Sequence, residues 1–230
     1  LVFDELLRIQ LALVQRKRDL ERTSVGIVHD TATTVLLEGF RAGLGFPFTD
    51  AQDRVVAQIL EDLARPAPMH RLLQGDVGSG KTVVAVSALL AAVQGGYQGA
   101  LMAPTEVLAE QHHLGVAEML DGITVDDPAT LLGQRPLKVE LLTNRTTTTE
   151  RRRIGTELVA GGIDVLIGTH ALIQEGVRFG SLGMVVIDEQ HRFGVEQRAA
   201  LREKNEDGTV PDVLVMTATP IPRTAAMTVY

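Results

Sequence analysis

Cysteine is absent from this 230-residue chain, and so is tryptophan. The first absence removes disulfides and thiolate metal sites. It fits a reducing cytosol, the compartment expected here, without deciding it. The second, with aromatics at only 3%, leaves little from which to build a stacking platform for single-stranded bases. No apolar run approaches the ~18 residues of a membrane span. No charged n-region, apolar h-region and cleavage site opens the chain, so nothing marks it for export. Positive charge is also short: the net charge is −7, so any contact with nucleic acid is expected through a local patch. A dense basic cluster, Arg151-Arg152-Arg153, stands beside Glu150 and Glu157 and reads as a solvated helix face. Lysine is scarce, four against eighteen arginines, and one of the four is Lys81.

What remains is ordinary for a globular protein: 45% apolar and 22% charged residues,. The length suits one large domain or two small ones. The first residue is Leu1 and the last is Tyr230, and the chain reads as a piece of something longer. Residues 1–22 are expected to form a helix, with Val2, Leu6, Leu7, Ile9, Leu13 and Val14 at helical spacing. From Thr23 to Pro47 the pattern is mixed. A second helix is expected from Thr49 or Asp50, both good caps, to Pro66.

Beyond it the chain alternates. Short runs rich in Val, Ile and Leu, apolar on both faces, occur at Arg71–Gln74, Ala100–Ala103, Val139–Leu142, Asp164–Ile167, Met184–Ile187 and Val213–Met216. Such runs suit strands of a covered parallel sheet. Helical patterns lie between them at Thr82–Val93, Glu106–Leu120 and Glu150–Ala160, which makes the expected class α/β. Asp121–Pro136, rich in turn formers, reads as an irregular insertion, and residues 202–211 as a surface loop.

Gly75-Asp76-Val77-Gly78-Ser79-Gly80-Lys81-Thr82 fits the G-x-x-x-x-G-K-[ST] phosphate loop and falls between an expected strand and an expected helix,. Glycines let successive backbone N–H groups turn toward phosphate oxygens, and the helix adds its positive end. Lys81 would reach the β- and γ-phosphates, and the Thr82 hydroxyl would bind Mg²⁺. A second carboxylate is supplied by "MVVIDEQH", Met184–His191, where an apolar strand runs into Asp188-Glu189. The C-terminal edge of a parallel sheet is where ligands bind. Asp188 is the expected Mg²⁺ partner, and Glu189 the expected general base or water-orienting group. The two motifs together predict an ATPase.

Asp188-Glu189-Gln190-His191 resembles motif II of superfamily 2 helicases in the DExH form. Other motifs of that superfamily follow in order. Gln52, in "FPFTDAQ", is placed like the adenine-reading glutamine. "APTEVLAEQH" (Ala103–His112) resembles motif Ia, "IGTHALIQ" (Ile167–Gln174) the motif Ib region, and "MTATPIPRT" (Met216–Thr224) motif III. The run "DEQHRFGVEQRAALREK" is similar to the RecG family of bacterial branched-DNA helicases, with the transcription–repair coupling factor family next. The resemblance implies a P-loop, RecA-like first motor domain over 48–230, with 1–47 as an N-terminal helical connector.

It further implies a DNA translocase that uses ATP and Mg²⁺ to remodel stalled forks and recombination intermediates. Thr105, Glu106, Thr169 and His170 would lie along the DNA backbone, and contact would be sequence-independent and salt-sensitive. His191, Thr217 and Thr219 would couple the nucleotide to that contact. One departure stands out: where the family has a Thr-Gly-Ser-like turn, this chain reads Thr143-Asn144-Arg145. In the superfamily a second RecA-like domain supplies an arginine finger worth ~10³–10⁵ in rate. The piece alone is therefore expected to bind Mg·ATP but to hydrolyse it poorly. Two alternatives stand beside the branched-DNA reading: a duplex translocase of the transcription-coupling type, and a nucleotide-gated binding module that does not hydrolyse.

Overall fold

The structure, a computed structural model, describes residues 25–173, 176–188 and 208–218, together with the isolated positions 7, 8, 11 and 15. The helix expected over 1–22 lies outside these residues except at those four positions, which are helical.

Threonine caps start three of the helices. In α2 (Asp50–Leu63), Thr49 Oγ1 accepts from Gln52 N at 3.3 Å while Gln52 Oε1 accepts from Thr49 N at 2.8 Å, a reciprocal box that satisfies two otherwise orphaned donors. Thr147 and Glu150 form the same box at α5 (Thr148–Val159). Thr105 caps α4 (Glu106–Met119) by accepting from Leu108 N,. The helix after the phosphate loop, α3 (Lys81–Gln94), is buried continuously from Val83 to Val93, as a helix enclosed on all sides is.

The sheet is parallel throughout. Among the described residues it has six strands, β1 (His70–Gln74), β2 (Gln98–Met102), β5 (Val139–Leu142), β6 (Val165–Gly168), β7 (Leu182–Asp188) and β8 (Asp212–Thr217), in the order β1-β8-β7-β2-β6-β5. Every expected strand is present within two residues of its expected ends. Alternate side chains enter separate cores. Leu101, Val165, Ile167, Met184, Val186, Leu214 and Met216 face one, with α2 and α3. Ala100, Met102, Leu166, Val185, Ile187, Val213 and Val215 face the other, with Ile154 and Leu158 of α5. Burial on both faces is why these strands carry runs of Val, Ile and Leu rather than an alternating pattern.

Two stretches depart from the sequence reading. The mixed segment holds a helix, α1 (Val35–Gly43), which buries Leu36, Leu37 and Phe40 against the first core and packs on α3. Its two internal or terminal glycines, Gly39 and Gly43, weaken the local signal, so tertiary packing selects the helix. The stretch expected to be irregular, 121–136, contains an antiparallel pair, β3 (Thr124–Asp126) and β4 (Gln134–Pro136). Arg135 anchors it: its guanidinium donates to both oxygens of Asp164, at 2.6 and 2.8 Å, and to Gly161 O at 3.2 Å. That bond to Asp164 raises the Arg135 pKa further.

At the opposite end of the sheet from the strand C-termini, the lead-in chain is clasped. Gly26 bridges Val210, His29 N donates to Leu63 O at 2.9 Å, and His29 Nε2 meets Asp212 Oδ2 at 2.9 Å. Asp212 Oδ1 accepts from Met69 N. Both side chains are buried, at 0% and 1% exposure, and burial raises the Asp212 pKa even though His29 and Met69 N oppose it,.

Candidate functional site

The C-terminal edge of the sheet divides into two halves. β1, β8 and β7 end at the phosphate loop, at Thr217 and at Asp188. β2, β6 and β5 end before Thr105, Thr169 and Thr143.

In the first half, β1 hands the chain to the loop. Gly75 N donates to Thr217 O at 3.2 Å, so the start of the loop hangs from the end of β8. Gly78 and Gly80 take φ of 83° and 78°, a region that side chains disfavour. Close approach reinforces the requirement at Gly80, where a Cβ would stand 2.3 Å from Gln52 Nε2. Among the described residues, the N–H groups of Gly78, Gly80, Lys81 and Thr82 have no hydrogen-bond partner. Four converging donors at a helix N-terminus form the cradle that suits a phosphate. Asp76, Val77, Gly78 and Ser79 are exposed at its crest. Lys81 Nζ spans the loop, donating to Gly75 O at 2.7 Å and Asp76 O at 2.9 Å.

Gln52 is brought to this loop across 27 residues of sequence: its Nε2 donates to Ser79 O at 3.1 Å. Because its Oε1 also closes the α2 capping box, one carboxamide ties a helix start to the phosphate loop.

Asp188 ends β7, two strands from Gln74, which places the two Cα atoms roughly 10 Å apart from strand spacing,. A Mg²⁺ bound to triphosphate oxygens keeps several waters and takes one or two protein oxygens, and the Thr82 hydroxyl with the Asp188 carboxylate fits that demand. Among the described residues no group of three or more His, Cys, Asp or Glu gathers into an all-protein metal site. Asp188 also has a partner that the sequence reading missed. His112 Nε2 lies 2.7 Å from Asp188 Oδ2, with both side chains 15% exposed.

In the second half, Thr105 is exposed and Glu106 partly buried. Glu106 is held by Arg145, whose Nε lies 2.9 Å from Glu106 Oε2 and whose Nη1 lies 3.6 Å from Glu110. The divergent Thr143-Asn144-Arg145 turn thus closes onto α4. Its shape comes from Thr143 Oγ1, which accepts from Arg145 N, and from Thr146 Oγ1, which accepts from Thr143 N. Two arginines of the basic cluster are engaged within the domain: Arg153 pairs with Glu140 and Glu157, and Arg151 donates to Thr143 O; Arg152 is exposed. Thr169 is buried at 2% exposure and its Oγ1 accepts from Ala171 N, so it shapes the 3₁₀ turn His170–Ile173. Thr217 is equally buried at the end of β8. Glu189, His191 and Thr219 lie outside the described residues, and His170 is placed only as the first residue of its turn.

No helix among the described residues is long and apolar enough to cross a membrane. Comparisons with known proteins agree with the fold. The chain is 53% identical to the ATP-dependent DNA helicase RecG of Synechocystis over 230 residues, all of this chain and 26% of that protein. It is 48% identical to RecG of Bacillus subtilis, again over the whole chain and 31% of the relative. The chain therefore spans between a quarter and a third of the curated relatives it matches. Among solved structures, RecG bound to a three-way DNA junction superimposes with a TM-score of 0.82 at 42% identity, covering 99% of this chain and 28% of that one. A Mycobacterium smegmatis Lhr helicase bound to single-stranded DNA and AMP-PNP shares the fold, with a TM-score of 0.60 at 20% identity over 84% of this chain and 26% of the other. Residues 49–228 match the DEAD/DEAH box helicase family, and the chain belongs to it.

Proposed function

We propose that the chain is the first RecA-like motor domain, 48–230 with 1–47 as its lead-in, of a DNA helicase that uses ATP to remodel branched DNA. The observation that carries this reading is the shared sheet edge. A cradle of N–H donors at 78 and 80–82, unpaired among the described residues, and the Asp188 carboxylate occupy one half of it, and the capped start of α4 at Thr105 occupies the other. The likeness to a RecG bound to a three-way junction supports the substrate class.

In this reading Gly75–Thr82 hold the triphosphate, with Lys81 on the β- and γ-phosphates. Gln52 reads adenine, while Thr82 and Asp188 take Mg²⁺. Glu189 orients the attacking water. Thr105, Glu106, Thr169 and His170 line the DNA path. For Glu106 that means acting together with its partner Arg145, because a lone carboxylate repels phosphate. For Thr169 it means acting through the backbone of its turn, because its hydroxyl is engaged. Thr217 supports the phosphate loop through its carbonyl on Gly75 N, and with His191 and Thr219 it couples the nucleotide to the DNA contact. A second RecA-like domain of the parent protein completes the nucleotide site, and the protein works in the cytoplasm.

ATP hydrolysis by the full-length protein tests this, measured without DNA, with linear duplex and with a three-way junction, beside Glu189→Gln. Preferential stimulation by the junction that disappears in the variant is the expected result. Equal stimulation by plain duplex refutes the branched-DNA assignment and favours a transcription-coupling type of translocase.

A further inference from the structure

Ala109 and Val116 mark the buried stripe of α4, and His112 lies on the same stripe, three residues after one and four before the other. A polar ring on a face turned toward the sheet needs a partner. Its partner is a carboxylate on a strand 76 residues away. A carboxylate oxygen accepts, so imidazole Nε2–H donates to Asp188 Oδ2. Asp188 Oδ1 has no partner among the described residues. Among them, no other side-chain hydrogen bond runs from α4 to β7 or β8.

We propose that His112 is a positioning residue of the nucleotide site: its imidazole holds one oxygen of Asp188 so that the other faces the metal, and it fastens α4 to the nucleotide edge. The inference rests on the reading of Asp188 as the Mg²⁺ carboxylate. Outer partners that orient a ligating group commonly contribute 10- to 100-fold to metal affinity. The contact also has a mechanical sense. α4 starts at its cap Thr105 and at Glu106 and packs over β5 and β6, so movement of the DNA-side helix is transmitted to the Asp188 carboxylate at the end of β7.

Binding of a fluorescent ADP analogue to the full-length protein, titrated with Mg²⁺ and repeated in EDTA, tests the proposal without relying on turnover. The variants are His112→Ala, His112→Gln and Asp188→Asn. The expected result is a Mg²⁺ midpoint about 10-fold higher in His112→Ala, with metal-free nucleotide affinity unchanged. His112→Gln, whose amide N–H can stand near the imidazole Nε2, restores most of the midpoint. An unchanged midpoint in His112→Ala, where Asp188→Asn shifts it, overturns the role of His112 alone. Unchanged midpoints in both variants overturn the reading of Asp188, and this proposal with it. Equal loss of nucleotide affinity with and without metal, not restored by Gln, also overturns it, because that pattern describes damage to the fold.

Discussion

Replacing His29 by Leu removes one member of a fully buried pair while roughly keeping its volume. Asp212 is then left with Met69 N as its one remaining partner from the pair's surroundings. Breaking a buried pair from one side costs about 3–5 kcal/mol. A partial offset comes from His29 Nδ1, which is buried without a hydrogen-bond partner and whose removal returns about 1 kcal/mol. The net expectation is about 2–4 kcal/mol, a large share of the roughly 5–15 kcal/mol that holds a domain folded. Urea unfolding of the chain, followed by far-ultraviolet circular dichroism, reads this directly. The double variant His29→Leu, Asp212→Leu no longer buries a charge and leaves only Met69 N unpartnered, so it should be less destabilised than His29→Leu alone. The pH dependence follows from Asp212, whose folded pKa is raised chiefly by burial and lowered in part by His29. A carboxyl with a raised folded pKa contributes stability below its unfolded value, and this is lost as pH rises through the folded one. Removing His29 raises that pKa further, so the penalty of His29→Leu should grow from acid toward neutral pH. A cost under about 1 kcal/mol at pH 7, or a double variant as unstable as the two single costs summed, would refute the clasp.

Two further substitutions separate the loop from the hairpin. Gly80→Ala forces a side chain to φ 78° and against Gln52, so stability should fall by about 1–2 kcal/mol. Affinity for a fluorescent ADP analogue should fall in the same variant, and unchanged binding would count against the cradle. Arg135→Ala removes both bonds to Asp164, a loss of about 1.5–3 kcal/mol for bonds to a charged group. Hydrogen exchange should then speed up across 124–136 while nucleotide binding stays as it was.

The strands were legible because burial on both sheet faces writes itself into four to six consecutive residues. The phosphate loop was legible because its glycines and lysine are contiguous. What the sequence hid was held together from a distance. Within 121–136 only the short run Ile123-Thr124-Val125 favours a strand locally, and Arg135 anchors the pair through Asp164, 29 residues on. In α1, Gly39 and Gly43 argue against the helix that Leu36, Leu37 and Phe40 secure by packing. His112 lies within the stretch that resembles motif Ia, and the resemblance assigns it no role. Its place between Ala109 and Val116 was the available signal, since a titratable ring on a buried stripe has to meet something. Thr169, which the resemblance places on the DNA path, has a buried side chain that shapes its own turn, a role that no local pattern announced.

The order of strands in space differs from their order of synthesis. β8 is made last of the six yet stands second, between β1 and β7. On a ribosome, the glycine loop leaves the exit tunnel long before Thr217, whose carbonyl supports Gly75 N. His29 waits longer still for Asp212, 183 residues later. Until β8 is threaded in, β1 and β7 carry open edges of the kind that invite mispairing, and topologies closed by such distant contacts fold slowly. The nascent chain therefore presents its glycine loop early but gains the carbonyl that supports it only when β8, the last of the described strands, is inserted. On the proposed function, nucleotide capture during synthesis would follow the insertion of β8.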